Sequence, residues 1–592
     1  MSTVARKPRP GRVGPGQPDR SRGDGGAARR GAGGPTVELA AYAAIIALAA
    51  GLRLGALDLL PLDPGEAANA WQSWSLLRWG SGEMTAGPLY TYGTGLLLGL
   101  FGGSDFVARL LSALLGTAMV ALPYVIRRQL GREEALLGAG FLALSPTLVY
   151  FSRHAGPDVL AAALSLASLV MGVEYVRERR RGYLVALALS LGLLLASGGV
   201  AYLSISAGLI GLCLWPATEP KRTLRVAASD LWRSIRRELD GEQARAAAVA
   251  GLGAAVLVST GALSDPSGLQ RGLIDSLQGW VNGLFSVSGQ PWYTYLLMLA
   301  VYETGLLVLA LVSVFVGGKR AGVRLVLLAW ASLSLILGTL GGHKEPGLAA
   351  QMVVPLALLS GFGAAAAVRG LAGPDAKRRA LAFAITVVPL LVLLYIVINA
   401  FSLPNPKVPP PAAAAPVMAL VLVLSAWIYQ VGIKQSAHLL GSLAAVLVAI
   451  CAFSGAINLS FPAADHPVAV LTNQTVSCDV RTLSRQAEDL ANILALRGES
   501  PDLMVHPSLW PALAWYLRKQ PNIQAGQPVD SPLAIVPAGA PGPDGYLGQR
   551  YRLYYIWEPA PIGWQSAWRW AVLHEAPPVA KAQDAMLYVK VP

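Results

Sequence analysis

Charge is what this 592-residue sequence has least of. Asp, Glu, Lys and Arg together make up 14% of it, while hydrophobic residues make up 54%. An ordinary soluble domain carries about 25% charged residues, so a soluble fold of this length is excluded. Cysteine is nearly absent. Cys213 and Cys451 lie in apolar runs and Cys478 stands alone, which leaves no disulfide framework and no cysteine metal spacing. The six histidines are scattered, and no His/Glu pair has zinc-ligand spacing. No Walker loop or dinucleotide glycine pattern opens a helix after a strand, which excludes a nucleotide-driven pump. Neither a repeat of solenoid length nor an inverted pair of broken helices of the transporter kind is visible.

What the sequence does have is apolar blocks of about 20 residues, the length that spans the hydrocarbon core of a bilayer. Thirteen candidate spans can be drawn, at about 37–55, 106–126, 134–151, 158–176, 183–197, 199–216, 246–263, 294–316, 322–340, 348–368, 380–400, 413–433 and 437–456. With the N-terminus inside, 30 of the 47 lysines and arginines fall on inner segments, seven on outer loops and helix ends, and the remaining ten in the C-terminal domain. That bias fits the positive-inside rule. The net charge of +13 is therefore mostly a topology signal, and nucleic acid is not an expected partner. The inner loop 217–245 could also touch anionic membrane lipid. Residues 1–36 read as a disordered basic cytoplasmic tail, residues 37–456 as a transmembrane domain whose first span is an uncleaved anchor, and residues 457–592 as an extracytoplasmic α/β domain. In that last part, 479–497 and 508–519 read as helices, and 533–537 and 550–557 as strands. The expected fold class is an α-helical polytopic protein of the cytoplasmic membrane with a soluble C-terminal domain outside.

Chemistry is expected on the outer rim. The loop after the first span, about 53–105, contains Leu-Asp-Pro-Gly-Glu, with Asp63 and Glu66 on either side of a Pro-Gly turn. Asp63 is placed to cap a helix running to Trp79, with Glu66 in its first turn. Trp71, Trp74 and Trp79 would make that helix an interfacial one. Two readings of the carboxylates stay open, capping alone or general-base chemistry beside low-dielectric lipid. Arg153, His154 and Asp158 lie at the outer end of the third and fourth spans. His343, Lys344, Glu345 and Gln351 lie at the outer end of the ninth and tenth, and Arg271 lies in an outer loop. Such cations could bind a phosphate at headgroup level or simply snorkel. Glu303 falls near mid-membrane. It is either a functional group or a hydrogen-bonded packing residue facing the bundle interior.

Taken in order, several motifs resemble a known family. Arg53 closes the first span and DPGEA follows; then come GPLY, GSDFVARLLSALLGT, LALSPTLVYFSRHAGPD and HKEPG…VVPLALLSG, with WYLRKQPNIQ and YRLYYIWEP in the tail. This set is similar to the GT-C membrane glycosyltransferases of the protein O-mannosyltransferase and aminoarabinose-transferase type. Within them it most resembles the prokaryotic flippase activity-associated branch. The likeness covers about 37–592 and is strongest over 50–160. It implies an inverting transferase that takes a sugar from a polyprenyl-phosphate donor and passes it to a protein, lipid or glycan acceptor outside the membrane. Glu66 matches the second acid of the family's Asp-Glu pair. Gly65 stands where the first acid would be, with Asp63 displaced by two positions. Asp63 and Glu66 are the implied catalytic residues. Asp158 matches a second-loop acid and Lys344 a phosphate-binding position, and Arg271, His343 and Arg153 complete the implied substrate-binding set. No residue is assigned as a metal ligand, and the resemblance leaves a divalent metal (Mg or Mn) open. The alternative is a non-catalytic factor for lipid-linked glycan translocation or assembly that keeps the same fold. A secondary transporter working through Glu303 is a third reading.

Overall fold

The structure, a computed structural model, describes residues 35–80, 84–214, 241–286, 291–315, 321–342, 344–371, 375–401, 410–461, 474–520, 522–526, 531–540, 545–557 and 580–590. The tail before Pro35, most of the inner loop 217–245 and His343 lie outside the described residues. The first half is a run of helices: α1 (Pro35–Leu54), α2 (Pro64–Trp79), α3 (Pro88–Phe101), α4 (Asp105–Met119), the short α5 (Leu122–Val125) and α6 (Arg127–Leu130), α7 (Arg132–Leu144), α8 (Pro146–Ser152) and α9 (Asp158–Glu178). Among the described residues, eight helices are long and apolar enough to cross a membrane, or ten if each of two bent pairs is one span. All thirteen expected spans fall on helices. The three that do not meet the length and apolarity needed are Arg181–Leu195, Val200–Leu214 and Glu242–Ser259. The chain is a multi-pass membrane protein.

The expected long outer loop is two helices, α2 and α3, at the same end of the bundle. The centre is Leu348–Arg369, which is buried along nearly its whole length. It packs against α7 through paired small residues. A Cβ on Gly361 would meet the Glu134 carbonyl oxygen at 2.5 Å and the Gly138 nitrogen at 2.7 Å, so only glycine lets the two backbones approach this closely.

Two spans are bent, a feature absent from the sequence reading. α7 and α8 meet at 58°, and Thr294–Tyr302 meets Thr304–Phe315 at 94°. The first bend has a local cause. Pro146 cannot continue a helix but can begin one, and Ser145 Oγ caps the new start by accepting from Leu148 N. The second bend places Glu303 against the first. Its Oε1 accepts from Ser145 Oγ (2.6 Å) and from Thr147 N (3.1 Å). A carboxylate at a helix N-terminus meets unpaired N–H groups and the positive end of the helix dipole. Oε1 is thus hydrogen-bonded inside the bundle, while the buried Oε2 has no partner among the described residues.

The C-terminal region builds a mixed sheet from β1 (Gln474–Val476), β2 (Leu503–Val505), β3 (Ile523–Ala525), β4 (Leu533–Pro537), β5 (Tyr546–Trp557) and β6 (Ala580–Lys590). The order is β1-β5-β6-β4-β2-β3, with β2 parallel to β3 and β4 and the other pairings antiparallel. β4 is central, and Leu533, Ala534, Ile535 and Val536 are all buried, as a continuous apolar run predicts. The helix Asp479–Leu496 lays its apolar face on this sheet. Trp71 and Trp74 of α2 meet Trp510 and Trp515 edge to face, with ring centroids 5.8 and 6.5 Å apart. The expectation of a tryptophan-rich helix lying in the lipid interface is thus corrected. Two of its three indoles face the C-terminal sheet domain, and Trp79 alone is largely exposed.

Candidate active site

The Asp63–Glu66 segment folds as the sequence spacing dictates. Pro64 begins α2. Asp63 Oδ1 accepts from Glu66 N (2.9 Å), and Glu66 Oε2 accepts from Asp63 N (3.0 Å), a reciprocal capping box. The cap also aims both carboxylates at the turn after α8. His154 Nδ1 lies 3.3 Å from Asp63 Oδ2 and 3.6 Å from Glu66 Oε1. Ala155 N donates to Glu66 Oε1 (2.7 Å), and Asn69 Nδ2 of α2 donates to the Ala155 carbonyl (2.9 Å). Arg109 of α4 completes the arrangement from below, with Nε on Glu66 Oε1 (2.7 Å) and Nη2 on Oε2 (2.5 Å).

The two acids therefore differ. Glu66 is 3% exposed and receives four N–H donors. Burial alone would push its carboxyl up. The Arg109 charge, then His154 and the hydrogen bonds from Arg109 and Ala155, overcome this and hold it at about 2. It is a fixed anion and a weak base. Asp63 is 16% exposed and keeps Oδ2 free of backbone donors. Burial raises its carboxyl, opposed by His154, and the neighbouring Glu66 charge raises it further. His154 is disfavoured as a cation by burial, but Asp63, Glu66 and Asp158 together raise its pKa. A part-exposed carboxylate beside an imidazole, with no backbone donor on its Oδ2, is suited to taking a proton from a nucleophile.

Asp158 begins α9 and lies against the loop before Leu348. A Cβ on Gly347 would sit 2.0 Å from its carboxyl carbon, so glycine is required for this contact. The other expected groups are engaged elsewhere. Lys344 is buried, and its Nζ donates to the carbonyls of Thr339 (2.9 Å) and Gly341 (2.8 Å). It thereby caps the C-terminal end of Ala321–Leu340, and burial lowers its pKa. Arg153 donates to the carbonyls of Leu52, in the last turn of α1, and of Gly55 and Ala56 just beyond it. Arg53, wholly buried, donates in return to Leu142 and Ala143 at the end of α7. Arg271 is paired with Asp265 and Ser267. His154 was legible as an outer-side residue in FSRHAGPD but was not assigned to the site. Asn69 and the Ala155 amide had no sequence signal.

A divalent metal can be tested against these donors. Asp63, Glu66 and His154 bring one ligand atom each within 4.8 Å of one another. Glu66, however, already accepts four N–H groups, about its full lone-pair capacity, and Asp63 Oδ1 accepts one. That leaves Asp63 Oδ2 and His154 as the protein ligands, and a divalent ion held there would draw the rest of its shell from water and phosphate oxygens.

The fold, a helical bundle with a small sheet domain docked over a rim of acids at one end, is similar to that of solved GT-C membrane proteins. Residues 85–228 match the family model described as dolichyl-phosphate-mannose-protein mannosyltransferase. ArnT from Cupriavidus metallidurans bound to undecaprenyl phosphate superposes with a TM-score of 0.51 at 17% identity, covering 83% of this chain and 86% of that one. The apo oligosaccharyltransferase of Archaeoglobus fulgidus gives 0.47 at 12% identity, over 84% of this chain and 65% of that one. The arabinosyltransferase EmbB of Mycobacterium smegmatis gives 0.43 at 13%, over 80% and 44%. No curated protein matches the sequence. The narrower likeness to the flippase activity-associated branch rests on the sequence motifs alone.

Proposed function

We propose that the protein is a membrane glycosyltransferase that moves a sugar from a polyprenyl-phosphate donor to an acceptor on the extracytoplasmic side. The observation that carries this reading is the Asp63–His154–Glu66 cluster, set in a GT-C fold at the end of the bundle that the charge bias puts outside. Asp63 takes the proton of the acceptor nucleophile. That nucleophile attacks the sugar's anomeric carbon from the face opposite the phosphate. The carbon–oxygen bond to phosphate breaks, and polyprenyl phosphate leaves with the electron pair. Inversion follows from attack opposite the leaving group. His154 keeps Asp63 oriented, and Glu66 with Arg109 fixes the turn that carries both. Asp158 borders the donor side. Lys344 offers its remaining N–H direction to the phosphate, and Arg271 reaches it by exchanging Asp265 for the ligand. His343, outside the described residues, is the remaining residue of the proposed substrate-binding set.

The test is transfer in liposomes by the purified protein, given a polyprenyl-phosphate-linked sugar. Asp63→Asn should lower the rate by about 10²–10⁴-fold, as loss of a general base does, with the fold intact. Full activity in both Asp63→Asn and Glu66→Gln would end the catalytic assignment. One observation favours a second reading, a non-catalytic factor for lipid-linked glycan translocation or assembly. Gly65 stands at the first acid's position, and Glu66 is already saturated with donors. Movement of labelled lipid-linked sugar across the bilayer with no transfer product would select it.

A further inference from the structure

The segment that leads into Asp63, Gly55–Leu62, has no regular hydrogen-bonded partner, yet its polar backbone groups are held. Arg153 takes the carbonyls of Gly55 and Ala56. Arg109 takes those of Leu57 (2.7 Å), Leu60 (2.9 Å) and Pro61 (3.1 Å). Arg481, from the helix Asp479–Leu496, takes those of Asp58 (2.8 Å) and Leu59 (3.5 Å). The amide of Leu62, the residue before Asp63, donates to Tyr516 Oη at 2.5 Å. Tyr516 Oη in turn donates to Asp105 Oδ2 (3.3 Å), and the same carboxylate accepts from Trp515 Nε1 (2.8 Å) and Arg481 Nη2 (2.7 Å). Asp105 and Arg109 stand one turn apart on α4. The last backbone group before the catalytic cap is thus held by a side chain from the C-terminal domain, through a carboxylate on the helix that also holds Glu66.

We propose that Tyr516 is a positioning residue, a clamp by which the C-terminal domain sets the place of Asp63. The phenol is buried and points its oxygen at a buried N–H. A buried N–H that loses its acceptor has no water to turn to, so the hydroxyl determines where Leu62 sits. Asp63 follows it in the chain, and its Oδ2 must stay within reach of His154. The Tyr516 ring is packed with Leu62 in one apolar cluster shared by α2, α4 and the sheet. Tyr516→Phe therefore keeps the packing and removes only the clamp. The inference rests on the proposed role of Asp63, and the experiment separates the two.

Hydrogen exchange of the segment 57–66 and steady-state transfer kinetics are measured on the full-length protein in liposomes, for wild type, Tyr516→Phe and Trp515→Phe. Tyr516→Phe should speed exchange at Leu62 by about tenfold, the worth of one such bond. It should lower kcat by a similar factor and leave the donor KM unchanged. Exchange of the helix Asp479–Leu496 should stay at the wild-type level, which reports an intact domain. Trp515→Phe removes a different bond to Asp105 and should leave the exchange of 57–66 as it was. Unchanged exchange at Leu62 in Tyr516→Phe overturns the clamp, as does an equal rise in both variants. If Tyr516→Phe speeds exchange while Asp63→Asn still transfers sugar, the clamp stands and the catalytic reading of Asp63 falls.

Discussion

Arg109 and Glu66 form a buried ion pair, with side chains 8% and 3% exposed, and the two ends of that pair answer differently to mutation. Arg109→Leu removes the main countercharge of a buried anion, leaving only His154 beside it, and should cost about 3–5 kcal/mol. Glu66→Gln keeps two acceptor directions and should cost less, and thermal unfolding in detergent ranks the two. The pH behaviour follows from the neighbouring residues. A general base must be ionised, so the transfer rate should fall as pH drops through the raised pKa of Asp63, above the roughly 3.9 of an ordinary aspartate. His154 has a pKa raised by folding. Its contribution to stability is complete below the unfolded value of about 6.5 and is lost as pH rises through the higher folded value. Unfolding temperatures measured across that range should decline for the wild type and stay flatter for His154→Gln. Glu66, depressed to about 2, gives stability above the unfolded carboxylate value that is lost as pH falls toward 2. At this scale the sequence was half legible. Asp63-x-x-Glu66 announces its own capping box, because both partners are local. His154 and Arg109 join it from other elements, and Asn69, on α2 itself, reaches across to Ala155; local spacing carries no record of those contacts.

The helices follow hydrophobic run length closely, because the bilayer imposes it, and each of the thirteen apolar blocks is helical. The bend at Pro146 has a local cause in Ser-Pro chemistry, though 134–151 reads in sequence as one span. The bend at Glu303 was not legible, because its donors, Ser145 and Thr147, come from another span. Glu303→Gln retains an acceptor oxygen for both donors and should change stability little. Glu303→Leu strands two buried donors and should cost about 1–3 kcal/mol for each. If Glu303→Gln instead abolished an ion-coupled flux, the transporter reading would return. The tryptophans of α2 show the other limit. An indole reads equally well as a lipid anchor or as a docking contact, and only Trp510 and Trp515, far along the chain, decide between them. Trp71→Ala should loosen the C-terminal domain, seen as faster exchange in Asp479–Leu496.

For the molecule as a whole, composition alone established a polytopic membrane protein, and the placement of Lys and Arg gave it a direction. That direction is directly testable. Cys478 is exposed at the start of the helix Asp479–Leu496, so a membrane-impermeant maleimide should label it on intact cells. Labelling only after lysis would reverse the topology and move the acid cluster to the wrong leaflet for the proposed donor. The docking of sheet domain onto rim was beyond the reach of the sequence, since it joins Leu62 to Tyr516 and Asp105 to Arg481 across most of the chain. The central claim is that this docked rim transfers sugar through Asp63. The measurement that tests it most directly is single-turnover transfer from a polyprenyl-phosphate sugar in proteoliposomes, wild type against Asp63→Asn. The account predicts product from the wild type and a rate lower by about 10²–10⁴-fold in the variant. Equal rates from the two folded proteins would contradict it.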